Sequence, residues 1–130
     1  MSVFSVPIEV SDLEQRRVER VNAWVDTGAF YTNLPRPILE ALGVVPHKRE
    51  RFMLADGRIV ESDIGHMWIR VSDRSEITYV LFAEPGSEPL LGALTLEALA
   101  LDVDLVNRRL MPKPWLLNAS NVASALEACI

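Results

Sequence analysis

Asp26, Thr27 and Gly28 follow a short apolar run, Ala23-Trp24-Val25, and set a carboxylate, a hydroxyl and a glycine where a strand gives way to a loop. A carboxylate held at such a point can take or give a proton at a reacting centre. The Thr27 hydroxyl both donates and accepts hydrogen bonds, so it can tie the loop down. Gly28, lacking a Cβ, lets the loop fold tightly and another group approach closely. The two histidines, His47 and His66, show no ligand spacing such as His-x-x-x-His, so no metal is expected, and Asp63 and His66 read as solvent-facing.

Asp26-Thr27-Gly28-Ala29, with Trp24-Val25 before it and Thr32, Leu34 and Pro35 after it, resembles the active-site loop of retropepsin-like (retroviral-type) aspartic proteases. A second block agrees in order: Pro89-Leu90-Leu91-Gly92, a helical run Leu94 to Leu101, then Val103-Asp104-Leu105-Val106-Asn107-Arg108-Arg109-Leu110. The order is similar to that of small bacterial members, and the matching blocks with the hairpin between them cover most of residues 18–112. The resemblance implies a mainly β chain closed into the barrel of the acid-protease fold, with one or two short helices. It implies a protease domain over residues 1–112, a tail over 113–130, and a homodimer.

Peptide hydrolysis by carboxylates needs two, one to take a proton from water and one to give a proton to the scissile amide. This chain has one such loop, so the resemblance implies that two copies meet and that two Asp26 groups share a water and a proton. Like charges a few ångströms apart cannot both ionise easily, so one pKa rises and the pair acts as acid plus base. Thr27 and Gly28 complete the implied catalytic loop, Thr27 bonding across the dimer. Implied substrate contacts are Trp24, Ala29 and Leu91, with Ala55, Asp56 and Gly57 at the tip of a covering hairpin, or flap. The implied partners are a second copy and an extended peptide, with no cofactor. Many retropepsins place an arginine after the equivalent of Gly92 and pair it with an acid beyond the aspartate loop. Here those positions are Ala93 and Phe30, so no charge is stranded, and an apolar contact through Phe30 is the expected substitute.

The elements that must hold these residues follow from periodicity. Val3 to Val10 alternates roughly, with Pro7 suiting an edge strand, and Asp12 to Arg17 make a charged turn. In the next strand Val21, Ala23 and Val25 share one face, while Asn22, Trp24 and Asp26 share the other. Trp24 is open to two readings, a core aromatic or a pocket wall beside the carboxylate. Pro35 and Pro37 start a helix whose apolar side is Ile38, Leu39, Ala41 and Leu42, and Gly43 ends it. His47 to Arg51 read as a polar connection. Arg51 to Val71 form a long hairpin turning at Asp56-Gly57, the signal for a tight two-residue turn, which is either a flap or an ordinary surface hairpin. Met67–Val71 and Ile77–Phe82 are strands joined by a polar turn. In the tail, Val122, Leu126 and Ile130 recur as in a short amphipathic helix.

The 130 residues, 49% hydrophobic, suffice for one domain with a core. A net charge of −5, with no long run of Lys or Arg, argues against nucleic acid as partner. No stretch of 18 apolar residues free of charge argues for a membrane span, and the N-terminus lacks the pattern of a signal peptide. A single cysteine, Cys129, excludes a disulfide within the chain and suits a reducing compartment, so a cytoplasmic location is expected. Three readings compete: a homodimeric aspartic endopeptidase; a weakly active or inactive dimer of the same fold that binds peptides or serves assembly; and an unrelated β-rich protein in which Asp26 is only a turn residue.

Overall fold

Two alternating strands open the chain. In the computed structural model, which describes residues 2–114, they are β1 (Ser2–Ser11) and β2 (Val18–Asp26), paired antiparallel from Ser5 opposite Trp24 to Ser11 opposite Val18. The turn between them is closed by Asp12, whose carboxylate accepts hydrogen bonds from the Arg16 backbone N–H (3.0 Å) and Nε (2.7 Å). Ala23 and Val25 of β2 are fully buried, as the alternation requires. Pro7 lies where β1 has only β2 beside it, but Glu9 to Ser11 also pair with β5, so that end of β1 is not an edge.

The chain then makes β3 (Thr32–Pro35), a four-residue strand too short to announce itself in the sequence, and α1 (Arg36–Leu42). Proline in the first turn needs no hydrogen-bond acceptor, and Leu39 and Leu42 bury the helix's apolar side. Gly43 ends it at φ 83°, letting the Val44 N–H donate back to the Leu39 carbonyl at 3.0 Å. β4 (Pro46–Met53) includes the residues read as a polar connection: His47 to Arg51 alternate in exposure along a strand paired with β5 (Ile59–Val71). β6 (Arg74–Ala83), β7 (Leu90–Leu91), α2 (Ala93–Ala98), β8 (Leu101–Asp104) and β9 (Arg109–Pro112) complete the order. The possible helix at residues 120–130 lies outside the described residues.

Seven strands form one sheet in the order β1-β2-β7-β3-β6-β5-β4, and the contact of β1 with β5 makes a closed circuit of all but β4. Its core includes Val10, Val25, Leu34, Ile69, Val80 and Leu91, all fully buried. The β8–β9 hairpin forms a separate two-stranded sheet. No helix among the described residues is long and apolar enough to cross a membrane.

The turn between β4 and β5 differs from the two-residue form. The Gly57 N–H donates to the Leu54 carbonyl (2.9 Å), the Leu54 N–H donates to the Arg58 carbonyl (2.8 Å), and only Gly57 in this loop is left-handed, at φ 88°. That is a three-residue loop of Ala55, Asp56 and Gly57. A two-residue type I′ turn over Asp56-Gly57 would need Asp56 left-handed as well.

Asp63 corrects a second expectation. It is 9% exposed, and its carboxylate takes Arg36 (2.7 Å) and Arg49 (3.0 Å), joining the start of α1 to both hairpin strands. The hydrogen bond from Arg36 holds its pKa below the ordinary value; the charges of Arg36 and Arg49 assist and burial opposes. A depressed folded pKa contributes stability that is present above the unfolded value, near pH 4, and is lost as pH falls through the folded value. Asp63→Asn is therefore expected to cost about 1–3 kcal/mol at neutral pH. Urea denaturation at a series of pH values should show wild type and variant converging in acid.

Candidate active site

β2 carries Asp26 to its last position, half-buried, and the chain turns at once. The Gly28 N–H donates to Asp26 Oδ1 (3.0 Å) and the Ala29 N–H to the Asp26 carbonyl (3.1 Å), so the residue at the strand end also closes the loop. Gly28 contributes that N–H; left-handed glycine backbone is found instead at Gly43, Gly57 and Gly86. Thr27 is exposed and Ala29 half-buried. Trp24, two residues before Asp26 on the same face of β2, is half-buried.

β7 underlies this loop. It lies parallel to β2, with Trp24 opposite Leu90 and Val25 opposite Leu91, and meets β3 on its other side at Asn33. The Trp24 N–H donates to the Pro89 carbonyl at 2.9 Å. Leu91 is fully buried in the core, so it supports the loop from below and its side chain has no surface to offer a peptide in this chain. Beyond Gly92, the Ala93 N–H donates to the Ala29 carbonyl (2.8 Å) and the Leu94 N–H to the Phe30 carbonyl (3.0 Å). The first turn of α2 is thereby bonded to the loop bearing Asp26.

Beneath that junction three buried threonines form a chain that sequence reading missed. The Gly92 N–H donates to Thr32 Oγ1 (3.0 Å), Thr32 Oγ1 meets Thr95 Oγ1 (2.6 Å), Thr95 Oγ1 meets Thr78 Oγ1 (2.8 Å), and Thr78 donates to the Tyr79 carbonyl (3.3 Å). With every proton pointing toward Tyr79, all three hydroxyls are satisfied in a single direction. Thr95 and Thr78 gave no signal, because a hydroxyl in a short helix or strand reads locally as surface.

Tyr31 was also missed. Its ring meets Phe30 edge-on at 5.0 Å, and Phe52 near the tip end of β4 and Tyr79 of β6 at 6.0 Å each, fixing the loop against the β4–β5 hairpin and β6. At the hairpin tip Ala55, Asp56 and Gly57 are exposed, and Met53, Leu54, Ile59 and Val60 leave apolar surface open on either side. Asp56 is fastened to Arg58, accepting its backbone N–H (3.0 Å) and Nε (2.7 Å); these bonds, the backbone one foremost, lower its pKa. His66, expected to face solvent, is half-buried between the rings of His47 (4.7 Å) and Tyr79 (4.6 Å), and burial lowers its pKa, with help from the nearby His47 and Lys48. Among the described residues no three His, Cys, Asp or Glu side chains converge as metal ligands.

The arrangement supplies one loop-held carboxylate, an apolar hairpin nearby in the fold, and Phe30 60% exposed beside the loop. No model of a known family matches the sequence, and no curated protein matches it. Solved structures do match. The retroviral protease-like domain of Ddi1 from Leishmania major is 18% identical with a TM-score of 0.56, over 88% of this chain and 91% of that one. The simian foamy virus (mac) protease is 22% identical with a TM-score of 0.50, over 70% of this chain and 91% of that one. The fold is retropepsin-like.

Proposed function

We propose that this chain is half of an aspartic endopeptidase, working as a homodimer in which two Asp26 carboxylates activate one water. The single observation that carries the reading is Asp26 at the end of β2, in an Asp-Thr-Gly loop fastened to β7 and α2 within a retropepsin-like fold. In this reading the closed strand circuit is the acid-protease barrel, and Phe30 lies under the second copy. Trp24 and Ala29 face the peptide, and the hairpin tip at Ala55, Asp56 and Gly57 covers it. An extended peptide would be bound by strand addition, its backbone groups paired and its side chains in pockets. A cytoplasmic location fits the single cysteine.

The mechanism needs the two carboxylates in opposite protonation states. Two carboxylates at close approach do not both stay ionised easily, so one group is a base toward the water while the other, protonated, donates to the carbonyl oxygen. The Gly28 N–H on Asp26 Oδ1 holds the carboxylate plane, so that in the proposed dimer the group meets its mate in one orientation.

Half-burial of Trp24 next to Asp26 favours a second reading, a peptide-binding dimer whose cleft is too narrow for turnover. The test is to incubate pure protein with a broad peptide library from acidic to neutral pH and identify products by mass spectrometry, with sedimentation in parallel. Cleavage within extended, partly apolar segments by a dimer supports the first reading. A dimer that binds peptides and cuts none supports the second, and a monomer at all concentrations overturns both.

A further inference from the structure

At the far end of β2 from Asp26, about 20 Å along the strand, a cavity of about 450 Å³ opens between β1, β2, the β5–β6 turn and the β8–β9 hairpin. It brings together Arg20, Arg70, Arg108 and Arg109, with Glu9 as the one carboxylate in its lining. That concentrates positive charge in a chain whose net charge is −5. Glu9 is committed to Arg70, and Arg109 to Asp104 outside the cavity, while Arg20 makes no ion pair among the described residues. Val71 and Leu110 add apolar surface to the lining.

Backbone geometry marks the same place. The described non-glycine residues with left-handed backbone are Gln15, Ser72, Ala100 and Arg108, and two of them, Ser72 (φ 56°) and Arg108 (φ 54°), line this cavity. A left-handed arginine is uncommon and costs stability, and such residues collect where ligands are gripped. Here the strained residue is one that delivers a guanidinium.

We propose that this cavity is a binding site for a small phosphate-bearing molecule with two or more phosphoryl groups. Guanidinium forks match phosphoryl oxygens in pairs. Four guanidinium groups against one carboxylate in the lining suit a diphosphate group, and the volume leaves room for an apolar or ring-bearing body beside Val71 and Leu110. The site is separate from Asp26 and stands whether or not the chain cuts peptides.

The test is calorimetric titration of the full chain with inorganic diphosphate, against sulfate at matched ionic strength and a phosphoserine peptide. Diphosphate should bind measurably tighter than either. Arg20→Gln should weaken it roughly fivefold, the loss of one partly exposed charge pair. Arg108→Gly should weaken it similarly, and since glycine accepts φ 54° without strain the variant should still fold. Glu9→Gln, which releases Arg70, should tighten it. Equal binding of sulfate, or diphosphate affinity indifferent to Arg20→Gln and Arg108→Gly in variants that melt like wild type, overturns the site. Tighter binding of the phosphoserine peptide overturns the small-molecule assignment.

Discussion

Asp26→Asn is expected to reduce peptidase activity by roughly a thousandfold or more, the range for removing a positioned acid–base group, while leaving the fold intact. Asparagine keeps the shape of the side chain and an Oδ1 that can accept the Gly28 N–H, so the loop should close as before. Its melting temperature should match wild type, and its dimer should be as tight or tighter, since two facing carboxylates repel and two amides do not. Mixing the variant with wild type then tests the pairing. If subunits exchange freely and each active centre needs both carboxylates, an equal mixture should retain about a quarter of the activity of the same total wild-type protein, because only that share of dimers is wholly wild type. If each chain worked alone, half would remain. Retention of half, or a variant as active as wild type, would reject Asp26 as half of a shared dyad.

Local chemistry made part of this molecule legible. The apolar run ending at Asp26, the proline start and Gly43 stop of α1, and the hairpin at Gly57 each declare themselves within a few residues. What stayed hidden depends on residues far apart in sequence. β3 is four residues long and is a strand only because β6 and β7 flank it. Asp63 reads as a surface acid until Arg36 and Arg49 are folded against it. Thr32, Thr78 and Thr95 satisfy one another across three elements, so none carries a sign of its burial. Tyr31 carries no local signal in the sequence, although its ring joins the aspartate loop to the hairpin. Leu91 shows the reverse: its block was recognised, yet the side chain serves the core.

Gly92→Ala is expected to be the most damaging glycine substitution, costing about 3 kcal/mol or more. The reason is contact with backbone. A Cβ at Gly92 would lie 2.5 Å from both the carbonyl carbon and oxygen of Tyr31 and 2.8 Å from the Thr32 nitrogen. Those atoms cannot move aside, because Thr32 is buried and begins a strand bonded on both sides. At Gly65 an added Cβ would meet one backbone atom, the Val45 carbonyl oxygen, at 2.8 Å, with the Phe82 and Val44 side chains at 3.0 and 3.3 Å; with one backbone clash against three at Gly92, about 2 kcal/mol is expected there. At Gly57 there is open space and the cost is only that of φ 88°, about 1 kcal/mol. Urea midpoints should therefore fall in the order Gly57→Ala, Gly65→Ala, Gly92→Ala, the last lowest. Activity should follow the same residue, since the N–H groups that hold the Ala29 and Phe30 carbonyls come from the two positions directly after Gly92. Pushing Tyr31 away pulls the Asp26 loop off its support. A Gly92→Ala protein that is as stable as wild type would mean that the junction of β3, β7 and α2 is looser than its contacts imply.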